Sequence, residues 1–171
     1  MKKKIEAIVL FFTVFIIIYL SFKLKNDESD EILTNHYEVI GMIVNVGMKT
    51  VDVSYKINNE TYTYTQNKPY KNLVAGEEFS TFVSKENPNR AIVFYDKPIL
   101  DTTKYEYASV SPIEVNKLII DSKELSFEYV VGKESFSRIQ KYSEGNIPEN
   151  FKLLKVEFRI DKPEIGYLMN K

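Results

Sequence analysis

The sequence predicts a mainly β protein, in which an N-terminal transmembrane helix precedes two similar small antiparallel β units of about five strands each, packed together. Two observations predict the strands: Tyr (12) and Phe (11) are abundant with many Val, Ile and Thr residues, and apolar side chains alternate with polar ones over several segments. A third observation, that the second half of the chain resembles the first, predicts the two units.

The charge balance and the missing cysteines exclude several classes of function. Lys and Arg total 23 and Asp and Glu total 24, so the net charge is -1. We expect no nucleic-acid partner, because phosphate binding needs a basic surface. Without cysteine there is no disulfide, no thiolate metal site and no cysteine nucleophile.

An apolar stretch, residues 5–22, follows three lysines at the N terminus, and Glu6 is its one charged residue. At about 1.5 Å per residue it is long enough to span a hydrocarbon core of about 30 Å. The alternative is a cleaved signal peptide, but bulky side chains such as Tyr19 and Phe22 replace the small residues of a cleavage site. We therefore expect residues 1–25 to be a retained membrane anchor.

The excess of lysine before this stretch predicts a single-pass topology with the N terminus in the cytoplasm and the C-terminal domain outside it. Residues 26–36 are acidic and predict a solvated linker. A calcium site is the alternative there, but the glycine and the final glutamate of an EF-hand loop are absent. His36 is the single histidine, so we expect no histidine-based metal site, and no cofactor.

The internal repeat relates residues 51–66 to residues 125–140 with a constant offset of 74 positions. Identical residues coincide at three places: Tyr55 with Tyr129, Glu60 with Glu134, and Gln66 with Gln140. The turn pairs Asn58-Asn59 and Gly132-Lys133 also coincide, which predicts a hairpin in each half. After one insertion Pro88 matches Pro163. The predicted units are residues 37–100 and 101–171.

Residues 41–93 include a first strand with Gly41, a hairpin with Val53 and Tyr55 before its turn, the turn 75–77, and a strand that ends at residues 84–89. In these features the segment resembles a family of uncharacterised small bacterial membrane-attached β-domains. The resemblance covers about a third of the chain. It implies a β fold and neither an activity nor site residues.

The residues needed for catalysis are sparse. With one histidine and no cysteine, a nucleophile would need a lysine base, and no Ser-x-x-Lys motif precedes a predicted helix. Glu60 and Glu134 could form a carboxylate pair, but each directly follows a hairpin turn, where a solvated charge is ordinary. No phosphate-binding glycine loop or zinc-protease motif occurs. We therefore expect no enzyme and no catalytic residues.

The tyrosines suggest a surface for a partner, since aromatic residues are enriched at protein interfaces. The candidates are Tyr62, Tyr64, Tyr70, Tyr105 and Tyr107. The alternative is that they pack across strands or between the units. The expected function is a membrane-tethered interaction module with a protein partner outside the cytoplasm. A structural subunit of an envelope complex, a small-ligand carrier and an enzyme remain as alternatives.

Overall fold

The computed structural model describes residues 13–20, 23, 29–117, 123–143, 147–148 and 150–170. The described chain is mainly β, as predicted, and its strands form three antiparallel sheets. The strands are β1 (His36–Val46), β2 (Thr50–Ile57), β3 (Glu60–Asn67), β4 (Glu78–Ser84), β5 (Ala91–Pro98), β6 (Tyr107–Val110), β7 (Glu114–Lys117), β8 (Glu124–Val131), β9 (Glu134–Lys141), β10 (Leu154–Arg159) and β11 (Gly166–Asn170).

The first half of the chain forms one five-stranded sheet in the order β3-β2-β1-β4-β5. The long strand β1 is central: its N-terminal part pairs with β4, and its C-terminal part pairs with β2. Asn58 and Asn59 both have positive φ (51° and 68°), which is the geometry of the tight type I′ turn between β2 and β3. The hairpin therefore forms where the sequence predicts it.

The second half forms two three-stranded sheets, β11-β10-β6 and β7-β8-β9, instead of one unit of about five strands. Strand β6 pairs with β10 as the start of β1 pairs with β4, and β7 pairs with β8 as the end of β1 pairs with β2. The central strand is thus divided between β6 and β7. The division contains Pro112, which has no N–H to donate to a ladder and is disfavoured inside a central strand.

The predicted transmembrane helix at residues 5–22 is wrong, and the single-pass membrane localisation falls with it. No helix among the described residues is long and apolar enough to cross a membrane. The helical residues described there are 13–20. Residues 5–12, 21 and 22 of the predicted span lie outside the described residues.

A helical segment, residues 29–34, occupies part of the predicted solvated linker and packs on the first sheet. Ile32 is buried there, and the Glu31 carboxylate accepts hydrogen bonds from Ser84 Oγ at 2.9 Å and from Arg90 Nη1 at 3.0 Å. These contacts attach the start of the described domain to the turn between β4 and β5.

The two halves share one of their hydrophobic cores. The core of the five-stranded sheet contains Val53 and Phe79, and it also contains Ile165 and Tyr167 from the second half. A second core belongs to the later strands and includes Phe127, Tyr129, Val156 and Phe158. Because apolar side chains from both halves bury each other, we expect the described domain to fold as one unit.

Candidate functional site

Strand β3 is the outer strand of the five-stranded sheet, and none of the described strands pairs with its free side. Its ladder with β2 is unbroken from Thr50 opposite Asn67 to Ile57 opposite Glu60, with no shift of register. Eight residues of regular, extended backbone therefore border the sheet.

Alternate residues of β3 direct their backbone groups away from β2. Ile57 and Glu60 flank the two-residue turn and are a hydrogen-bonded pair in this hairpin geometry, so even-numbered residues bond to β2. The Lys68 N–H confirms this direction, because it continues the ladder by donating to the Lys49 carbonyl at 2.8 Å. The residues that direct N–H and C=O outwards are therefore Thr61, Thr63, Thr65 and Asn67, and their side chains are exposed.

The composition of β3 does nothing to block this edge. Natural proteins protect edge strands with lysine, proline, bulges, short length or covering segments. Strand β3 has no lysine, arginine or proline, and its one charged residue is Glu60 at its first position. It is thus a regular edge to which another strand can be added.

The other outer strands of the described sheets are short, irregular, charged or covered. Strand β5 ends in Lys97-Pro98 and has an irregular register with β4. Strand β9 includes Arg138 and Lys141 and lies against β5 and β11. Strands β6 and β7 have four residues each, and β11 has five. The contrast identifies β3 as the candidate interaction edge.

Contacts within the fold hold β3 in place. The Tyr62 ring packs on the first core and lies over Tyr55 with ring centroids 6.4 Å apart. Asp52 on β2 accepts hydrogen bonds from Asn45 Nδ2 at 2.9 Å and from Thr65 Oγ1 at 2.7 Å, and these bonds lower the pKa of Asp52. An edge that is already ordered loses less conformational entropy when it binds a partner.

The structure does not bring the five predicted surface tyrosines together in one patch, and none of them is exposed. Tyr62 and Tyr64 are half-buried on β3, whereas Tyr70 is buried in the first core, edge-on to Tyr95 at 6.0 Å. Tyr105 lies 3.6 Å from the Arg159 guanidinium, and Tyr107 faces Arg159 in the β6–β10 ladder. The candidate surface on β3 is thus its backbone edge, and the sequence does not distinguish an edge strand from a paired one.

A buried ion pair joins the two halves next to their shared core. The Glu77 carboxylate, in the loop directly before β4, accepts hydrogen bonds from Arg138 Nη2 of β9, from Tyr167 Oη at 3.0 Å and from the Val74 N–H at 2.6 Å. Glu77 is 0% exposed and Arg138 is 2% exposed. Burial raises the pKa of Glu77, whereas Arg138 and the other donors favour its charged form.

This pair is closed to ligands and belongs to the joint between the halves. Arg138 Nη1 also donates to the Asn72 carbonyl, and Asn72 Nδ2 donates to the Ser137 carbonyl at 3.1 Å. Further along the same loop, Arg159 Nη1 donates to the Gly76 carbonyl at 3.0 Å. Residues 72–77 are therefore bonded to both β9 and β10.

The described surface also has an open cleft of about 660 Å³, lined in part by Met42, Tyr55, Glu78 and Lys104. Lys104 Nζ lies 3.3 Å from Glu78 Oε1 and 2.9 Å from Asp101 Oδ2, so both carboxylates are already bonded to it. No group of three or more His, Asp or Glu side chains among the described residues could hold a metal ion. Among the described residues, the cleft therefore offers no metal site.

Comparison with known proteins gave no match to a family model, to a curated protein or to a solved structure. The resemblance of residues 41–93 to small bacterial membrane-attached domains therefore stays an expectation from the sequence.

Proposed function

We propose that this protein is a protein-binding module that takes an extended segment of its partner as an added strand on β3. The observation behind the proposal is the unprotected, regular edge formed by Glu60–Asn67. In strand addition the main-chain hydrogen bonds supply affinity, and side chains on the two faces of the new strand supply specificity. Such binding requires no catalytic group, in keeping with the sparse chemistry of the chain.

The test is to replace Thr63 with proline, because this change removes an outward N–H and leaves the bonds to β2 in place. Proline is tolerated at edge positions whose N–H faces solvent. Peptides that bind the wild-type protein would first be selected from a random library. We expect Thr63→Pro to weaken them at least tenfold, since the lost bond and the intruding ring act on the same ladder.

The matched control is Thr63→Val, which keeps the N–H and the branched shape of the side chain. It should bind the same peptides as the wild-type protein, and circular dichroism should show that both variants are folded. Hydrogen exchange supplies a second measurement: the amides of Thr61, Thr63 and Thr65 should become protected when peptide binds. Selected peptides that bind Thr63→Pro as well as wild type, without protecting these amides, would show that the proposal is wrong.

A further inference from the structure

The edge of β3 is complementary to itself. We propose that the strand it accepts is β3 of a second copy of this chain, paired antiparallel about a two-fold axis. This inference rests on the proposed function, because it names the partner for the same edge. It requires that the outward groups of one β3 find matching groups on another in a defined register.

Geometry limits the register to steps of two residues. The outward groups belong to odd-numbered residues, so an odd-numbered residue of one copy must lie opposite an odd-numbered residue of the other. In one register Thr63 faces Thr65 of the second copy, and Thr61 faces its Asn67. This register pairs every outward residue of β3. Sliding the strands by two residues in either direction leaves Thr61 or Asn67 without an opposite residue in β3.

Charge favours the same arrangement. With Thr63 opposite Thr65, Glu60 of each copy lies opposite Lys68 of the other, because the Lys68 backbone continues the ladder beyond Asn67. The two-fold axis produces this opposite-charge pair twice. A symmetric parallel arrangement would instead place Glu60 opposite Glu60, and like charges directly opposite are destabilising. The charges of Glu60 and Lys68, at the two ends of the β3 edge, therefore favour antiparallel pairing.

The residues in the middle of the β3 edge can also pair with the same residues of a second copy. Thr63 and Thr65 form cross-strand threonine pairs, and Tyr64 lies opposite the Tyr64 of the second copy at the axis. Pairing would join two five-stranded sheets through their β3 strands. A contact of one strand on each side is small by the standards of stable dimers, so we expect a weak, concentration-dependent dimer.

The absence of native cysteine allows a direct test of the register. Two single variants, Thr63→Cys and Thr65→Cys, are prepared separately and oxidised either alone or as an equal mixture. Directly opposite residues of a hydrogen-bonded pair have Cα atoms about 5.5 Å apart, within the range of a disulfide. Diagonal neighbours are about 7–8 Å apart, which is beyond it.

We expect the mixture to form a covalent dimer at least several times faster than either variant alone. Thr103→Cys, at an exposed position outside the sheets, measures cross-linking by random collision. If the mixture cross-links no faster than its components or than this control, self-pairing is wrong. In that case strand addition would still be supported if the selected peptides bind the wild-type protein and Thr63→Pro abolishes their binding. If peptide binding also fails, both proposals fall.

A charge exchange tests the same pairing without cysteine. Sedimentation of Lys68→Glu should show a dimer weakened several-fold, because Glu60 would then face a second acidic residue. Adding Glu60→Lys to that variant should restore the wild-type dimerisation constant, since the two charges have only changed places. A wild-type chain that stays monomeric at millimolar concentration, or a double variant no better than Lys68→Glu, would overturn the inference.

Discussion

Two tyrosines make the same hydrogen bond, to a proline carbonyl, in the two halves of the molecule. Tyr55 Oη donates to the Pro88 carbonyl at 2.8 Å, and Tyr129 Oη donates to the Pro163 carbonyl. Burial raises the pKa of both tyrosines to about 12, so both hydroxyls remain protonated donors over the physiological pH range. Each bond ties a β-hairpin to the turn before the last strand of its half.

We expect Tyr129→Phe to lower the free energy of unfolding by about 1–2 kcal/mol, because the carbonyl of the half-buried Pro163 loses its donor. Tyr129 is fully buried, whereas the Tyr62 hydroxyl bonds to the exposed Glu60 carboxylate. Tyr62→Phe is therefore the control and should cost clearly less. Urea unfolding followed by circular dichroism measures both. Equal losses for the two variants would show that the Pro163 contact contributes nothing particular.

For single residues, the sequence predicts which positions of the two halves correspond better than it predicts which side chains are in contact. Aligning the halves matches Tyr55 with Tyr129 and Pro88 with Pro163, yet nothing in either segment shows that the hydroxyl reaches the proline carbonyl. The Glu77–Arg138 pair lacks even that signal, because its members are 61 positions apart and Arg138 aligns with a residue of another type, Tyr64. Contacts of this kind depend on how the sheets pack.

Side chains of the two neighbouring strands lie close to the backbone of β1 at Gly41. A Cβ atom there would collide with Thr81 Oγ1 and would lie 2.8 Å from Val53 Cγ1, on the strands at either side. We expect Gly41→Ala to cost about 1–3 kcal/mol by overpacking. Guanidinium unfolding measures the loss, and Gly47→Ala, whose nearest atoms would be 3.3 Å away, is the milder control.

A double variant shows whether crowding is the cause. Thr81→Ala removes the nearest obstacle, so Gly41→Ala should cost less in that background than in the wild-type protein. Strictly additive losses would mean that Thr81 does not set the cost, because non-additivity marks residues in contact.

Strands and turns were largely predictable from alternation and turn residues, but which strands lie next to each other in a sheet was not. The segment Thr61–Thr65 alternates as a half-buried strand would in any sheet, and only the sheet order shows that it lies at an edge. Likewise, Pro112 indicates an interruption, but not that β6 and β7 would join different sheets. These outcomes depend on pairing between distant segments, which a local pattern does not encode.

At the scale of the molecule, hydropathy alone led to the wrong anchor prediction. Length and apolarity of residues 5–22 satisfied the usual requirement for a span, whereas no helix among the described residues is long and apolar enough to be one. Across the predicted division at residue 100, the two halves contribute side chains to the same core. Ile165 and Tyr167 complete the core of the first sheet, and the Glu77–Arg138 pair connects the loop before β4 to β9.

This buried pair should decide whether the halves unfold together. Arg138→Met leaves the Glu77 charge buried without its cation, which we expect to cost about 3–5 kcal/mol. Adding Glu77→Leu removes that stranded charge, so the double variant should regain most of the loss. The control is Lys141→Met, which breaks the partly exposed pair with Glu124 (3.5 Å) and should cost less than about 1 kcal/mol.

Hydrogen exchange at β2 and β8 during guanidinium unfolding distinguishes two roles for the pair. If it joins the halves, wild-type β2 and β8 lose protection in one transition, and in Arg138→Met the two strands lose it at different denaturant concentrations. If both strands shift together in the variant, the shared apolar core is sufficient to couple them. The ion pair would then stabilise the fold without being the link between its halves.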